Sequence, residues 1–149
     1  MYKKILFPTC LKPYCDHIFK HALQMARDHS AKLWIYHGLG RLKMDQEQVE
    51  AAIKDAEAKV QTAYADKMKA LGFSDYAINV SDGDVVTEIT KLARNVAADV
   101  MVMGTSTDAP IDTGDSSSVG TFGETAKELL LWAPCPVTII PPALVPGRG

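Results

Sequence analysis

Several side chains in this 149-residue chain are of types and spacings that do chemistry. Asp108, Asp112 and Asp115 lie close together in a stretch, residues 105–122, that carries no Lys or Arg. Carboxylate oxygens are what hard divalent cations take as ligands. The competing reading is a solvated surface loop, and the spacing matches no familiar calcium loop. His17 and His21 stand at i, i+4, a spacing that can hold zinc on one helix face, with Cys10 and Cys15 nearby. The plainer reading leaves both imidazoles on a polar, solvent-exposed face. Cys10 is a redox-sensitive thiol if its surroundings favour the thiolate; otherwise it is a small buried apolar residue. His37 ends an apolar run and reads as a packed or hydrogen-bonded histidine. No Ser-His-Asp, Cys-His or paired-carboxylate arrangement stands out, so no catalytic residue is assigned.

The elements that position these groups follow from hydrophobic periodicity. Ile5-Leu6-Phe7 and Leu33-Trp34-Ile35-Tyr36 read as buried strands, and Val100-Met101-Val102-Met103 as a fully apolar one. Ala77 to Val80 is a weaker strand with Asn79 inside it, which suits a sheet edge. Val137-Thr138-Ile139-Ile140 is the fifth, closed by Pro141-Pro142. Between them, helical periods run from about Tyr14 to His29, Asp45 to Leu71, Val85 to Ala97 and Gly123 to Trp132. On the first, Ile18, Ala22, Met25 and Ala26 share a face. On the second, Val49, Ala52, Ile53, Ala56, Val60, Ala63, Tyr64, Lys67 and Leu71 follow the period, and Gly72 is its stop signal. Strands alternating with helices imply an α/β fold, a parallel sheet covered on both faces. If the first and fourth strands are neighbours, a ligand crevice opens beyond their carboxyl ends. Thr9-Cys10 would line one side and Gly104-Thr105 the other, with the 105–122 loop above. The length suggests one domain over residues 1–149, with a flexible tail from about residue 142.

Composition narrows the partners. The formal net charge is -2, so no basic field exists to hold a nucleic-acid backbone or an anionic membrane surface. No apolar run reaches the roughly 18 residues a membrane span needs. The apolar segment after Lys3-Lys4 ends at Pro8, too short for a secretory signal. The expectation is a cytoplasmic protein whose three cysteines are thiols.

With the strands placed, four segments resemble the universal stress protein family. Ile5-Leu6-Phe7-Pro8-Thr9 is similar to that family's first strand, and Leu33 to His37 to its second. Asp99 to Thr105 is similar to its fourth, and Ala133-Pro134-Cys135-Pro136-Val137 to the approach to its fifth. The resemblance implies a five-stranded parallel sheet in order 3-2-1-4-5 and a homodimer through the fifth-strand edge, Val137, Thr138, Ile139 and Ile140. Nucleotide-binding members carry Gly-x2-Gly-x9-Gly followed by Ser or Thr after the fourth strand. The glycines let backbone N–H groups approach phosphate. An acidic residue usually follows their first strand.

This chain departs from that pattern. Gly104 matches the first glycine, Thr107 stands at the second, and Gly123 aligns with the third, 19 positions on where the motif has 13. Glu124 replaces the hydroxyl residue, on a helix N-terminus where a phosphate would sit. Cys10 replaces the acidic residue. Ser116, Ser117, Ser118 and Thr121 offer substitute hydroxyls. Alternatively, Ser118 or Thr121 caps the last helix, with Glu124 completing a capping box. The resulting expectation is a stress-response, sensing or interaction domain with weakened or lost ATP binding and no resident cofactor. The alternative is an ATP or AMP binder that uses Thr9, Cys10, Gly104, Thr105, Thr107, Gly120, Thr121, Gly123 and Glu124, with or without Mg²⁺. A slow metal-assisted nucleotide hydrolase ranks third, because no base or nucleophile can be named.

Overall fold

The computed structural model describes residues 2–106 and 122–145. The strands are β1 (Lys4–Pro8), β2 (Lys32–Gly38), β3 (Tyr76–Ser81), β4 (Val100–Met103) and β5 (Val137–Ile139). They form one parallel sheet in the order β3-β2-β1-β4-β5. The helices are α1 (Pro13–His29), α2 (Gln46–Ala70), α3 (Val85–Asn95) and α4 (Glu124–Trp132). The strand order and the edge position of β3 are those expected from the sequence.

Because side chains alternate across a pleated strand, each central strand feeds two cores. Ile5, Phe7, Leu33, Ile35, Val100 and Val102 face α1 and α2, where Phe19, Ile18, Val60 and Tyr64 meet them. Leu6, Tyr36, Met101 and Met103 face the other way, against Ile89 and Ala93 of α3 and Ala126 and Leu129 of α4. Strands buried on both faces must read as unbroken apolar runs, which is why β1 and β4 were legible.

Local chemistry sets the helix ends. Asp45 caps α2 through a capping box with Gln48: its carboxylate accepts from the Gln48 N–H at 2.8 Å. Gly72, at φ +68°, closes that helix as expected. The Gly72 N–H donates to Lys69 O and the Phe73 N–H to Met68 O, a Schellman closure. The inward stripe of α2 ends on Met68 instead of Leu71, which sits past the last helical residue and is exposed. Asp84 caps α3 by accepting from the Thr87 N–H at 3.0 Å.

Three expectations need correction. The N-cap of α4 is Gly123, with no side-chain cap bond, so Glu124 is the first helical residue and Thr121 with Glu124 cannot form a capping box. Ile140 lies beyond β5 and inside the core: its N–H donates to Met103 O, and it is 7% exposed. It is therefore not an edge residue. The presumed tail begins with a 3₁₀ turn, Pro142–Leu144, and Val145 packs against the α1–α2 core.

Candidate functional site

Where β1 and β4 part to opposite helices, a crevice of about 290 Å³ opens beyond their carboxyl ends. Pro8, Thr9 and Cys10 leave β1 along one wall, and Met103, Gly104 and Ser106 leave β4 along another. Tyr36, His37 and Gly38 bring the end of β2 to the rim. Val85 and Ile89 of α3, with Ala126 and Leu129 of α4, give apolar surface. Gly123, Glu124 and Thr125 present the start of α4, a helix end without a side-chain cap whose first-turn N–H groups suit an anion.

The β1 side is held by a hydrogen-bonded chain. Thr9 is 6% exposed. Its N–H donates to Tyr36 O at 2.7 Å, and its Oγ1 accepts from the Leu11 N–H at 3.0 Å. Thr9 Oγ1 lies 2.6 Å from Tyr64 Oη, which donates to Asp16 Oδ1 at 3.0 Å. Burial pushes the Tyr64 hydroxyl far above its ordinary pKa, so it stays protonated. His37 Nδ1 is 2.8 Å from Thr9 O. A carbonyl only accepts, so Nδ1 carries a proton and donates it to Thr9 O. The Thr9 side chain thus serves the fold, whereas Cys10 and His37 stand at the crevice.

The β4 side is where the glycine pattern pointed. A Cβ on Gly104 would lie 2.5 Å from Tyr14 Cζ, 2.6 Å from Tyr14 Oη and 2.6 Å from Ile18 Cδ1. Close approach of α1 is therefore sufficient reason for a glycine. Tyr14 Oη accepts the Thr105 N–H at 3.0 Å and donates to Ile140 O. The Gly123 N–H donates to Thr105 O at 2.9 Å. Two backbone donors that a phosphate would want are already used inside the fold. A Cβ on Gly123 would meet Ser106 Cβ at 3.4 Å, an ordinary contact.

Of the sequence-assigned residues, Thr9, Cys10, Gly104, Gly123 and Glu124 come together around the crevice. Thr105 does not line it, because its backbone is engaged with Tyr14 and Gly123. Thr107, Gly120 and Thr121 lie outside the described residues, as do Asp108, Asp112, Asp115 and Ser116 to Ser118. The Glu124 residue lines the crevice at the start of α4. Its side chain is 84% exposed and pairs with Lys127 at 3.5 Å. Sequence reasoning missed Ser106, Gly38, Val85 and Ile89 as lining residues. The Asp84 cap ahead of Val85 is the one signal that could have found the start of α3 at the rim.

The remaining cysteines and histidines also find places. Cys10, Cys15 and Cys135 are all thiols. Hydrogen bonding from the Cys10 side chain holds the Cys15 thiol below its ordinary pKa, against the opposing effect of burial. Burial pushes Cys135 up. His17 and His21 are half-buried instead of solvent-exposed, with ring centroids 5.1 Å apart. Burial holds His17 below its ordinary value, helped by the charges of His21 and Lys20. Among the described residues, no cluster of three His, Cys, Asp or Glu side chains could hold a metal. No described helix is long and apolar enough to cross a membrane.

A parallel sheet in this order, with a crevice at the point where strand order reverses, defines a doubly wound α/β domain. The family model of universal stress proteins matches residues 1–141, and the chain belongs to that family. Its fold is that of a universal stress protein solved in complex with cAMP. That protein is 21% identical with a TM-score of 0.67, over 93% of this chain and 96% of the other. Universal stress protein UspA from Lactobacillus plantarum is likewise 21% identical, with a TM-score of 0.70 over 93% and 97% of the two chains. The universal stress protein from Archaeoglobus fulgidus in complex with dAMP is 16% identical, with a TM-score of 0.58 over 93% and 98%. No curated protein sequence matches the chain.

Proposed function

We propose that this chain is a binding and sensing domain of the stress-response type, whose crevice takes the nucleoside and one phosphate of an adenine nucleotide and holds ATP poorly. The observation that carries this reading is the hydrogen bond from the Thr105 N–H to Tyr14 Oη. With the Gly123 N–H also engaged, two backbone donors at the ends of the segment between β4 and α4 are not open to a triphosphate. The uncapped start of α4 and Ser106 suit a single phosphate, and Val85, Ile89 and Leu129 suit the face of a base. A cavity of about 290 Å³ is at the small end for such sites. Two proteins of the same fold were solved with nucleoside monophosphates, cAMP and dAMP.

The test is a thermal shift and calorimetric titration with AMP, cAMP and ATP, each with and without Mg²⁺. A ligand at a hundredfold its Kd adds about 2.7 kcal/mol of stability. AMP or cAMP is expected to stabilise the protein more than ATP at equal concentration, without Mg²⁺. ATP binding as tightly as AMP would refute the reading, and so would an absolute need for Mg²⁺.

The partner we propose is a second copy, joined through the edge of β5. Val137, Thr138 and Ile139 are half-buried there. Leu131 and Trp132, at the end of α4 just before that strand, are 78% and 68% exposed. An apolar edge with large exposed side chains close by in the chain calls for cover. Light scattering should give the mass of a dimer, reduced to a monomer by Trp132→Glu. The three thiols suit the reducing cytoplasm, where we place the protein.

A further inference from the structure

The turn between β1 and α1 brings two cysteines of the crevice wall onto each other. Cys10 follows β1, and Cys15 is the third residue of α1. Between them Leu11 adopts φ +64°. This is the left-handed region that a branched non-glycine residue enters only when its surroundings force it. The reversal at Leu11 is pinned by its own N–H, which donates to Thr9 Oγ1 at 3.0 Å. As a result the Cys10 N–H donates to Cys15 Sγ, 3.3 Å away, so the backbone of one cysteine lies against the sulfur of the other. Both residues line the crevice, so small solutes reach the pair from that side. Cys15 also sits in the first turn of a helix, where a thiolate is favoured.

We propose that Cys10 and Cys15 form a reversible dithiol–disulfide site that responds to hydrogen peroxide at the mouth of the crevice. The Cys15 thiolate attacks a peroxide oxygen, the O–O bond breaks, and the leaving hydroxide takes a proton to become water. Cys15 is then a sulfenic acid, oxidised by two electrons. The Cys10 sulfur attacks the Cys15 sulfur, the S–O bond breaks, and the thiol proton leaves with hydroxide as a second water. One hydrogen peroxide is reduced to two waters and one disulfide formed. The 3.3 Å approach of the Cys10 N–H to Cys15 Sγ starts the two cysteines as neighbours for closure. The site does not depend on whether the crevice holds a nucleotide.

The sequence makes the test direct. Trypsin cuts after Lys4 and Lys20, and the Lys12–Pro13 bond resists it, so both cysteines fall in one peptide, residues 5–20. Cys135 falls in another and is an internal control. The folded full-length protein is treated with hydrogen peroxide at about pH 7, alkylated, digested and weighed. The expected result is a 5–20 peptide lighter by two hydrogens and carrying no alkyl label, restored by dithiothreitol. Cys135 should remain labelled, oxidising about tenfold more slowly or less. In Cys10→Ser the sulfenic acid on Cys15 should persist and be trapped by dimedone. A doubly labelled 5–20 peptide alongside oxidised Cys135 would overturn the proposal. A disulfide that appears only in denaturant, or Cys10 oxidising at an unchanged rate in Cys15→Ser, would overturn it equally.

Discussion

Gly104→Ala separates two reasons for a glycine after β4. If the residue is small so that phosphate can approach, alanine should leave stability alone and weaken ligand binding. The structure gives the other reason. The added methyl would lie 2.5 to 2.6 Å from Tyr14 Cζ, Tyr14 Oη and Ile18 Cδ1. Neither neighbour yields easily: both are 1% exposed, and the tyrosine hydroxyl is held by Thr105 and Ile140. Gly104 is not among the residues with positive φ, so alanine suits the backbone. The smaller conformational freedom of the unfolded chain would even favour it by about 0.4–1 kcal/mol. Overpacking a well-filled core costs about 1–3 kcal/mol, and with three contacts this close the upper part of that range should apply. The net loss is then about 1–2 kcal/mol, read as roughly 2–4 °C of Tm for each kcal/mol at this length. Urea and thermal unfolding measure it. Ile18→Val, which removes Cδ1, costs about 0.5–1.5 kcal/mol alone and should cost measurably less beside Gly104→Ala. An unchanged or raised Tm for Gly104→Ala, or strict additivity of the pair, would refute the packing argument.

Tyr64→Phe should destabilise by about 1–3 kcal/mol, because it leaves the buried Thr9 hydroxyl proton without its acceptor; chemical denaturation reads the loss. Protonation of His17 is opposed by burial and by its neighbours' charges, so its folded pKa lies below its unfolded value. The unfolded chain then binds more protons as pH falls through the ordinary histidine range, so stability should drop on acidification and recover toward neutrality. His17→Asn should flatten that slope in Tm against pH, and an unchanged slope would place its cause elsewhere. Glu124→Ser should leave AMP affinity within about twofold, since the carboxylate stands in solvent beside Lys127. A tenfold gain by titration would mean that Glu124 does repel phosphate.

The sequence by itself determined the sheet and its partition. Runs such as Ile5 to Phe7 and Val100 to Met103 have no polar position to spare, so they must be covered on both faces, and the helical periods between them supply the cover. It also placed the crevice, because that follows from which strand ends meet. Tertiary structure alone decided what the crevice residues do. Gly104 was read as a phosphate glycine because sequence shows a missing side chain but not the neighbour that requires its absence, here Tyr14 across 90 positions of chain. Cys10 and Cys15 are five positions apart in the sequence. That spacing does not reveal a left-handed Leu11 that folds one back upon the other. Periodicity records which face of an element is buried; it carries no record of the distant group that a side chain meets there.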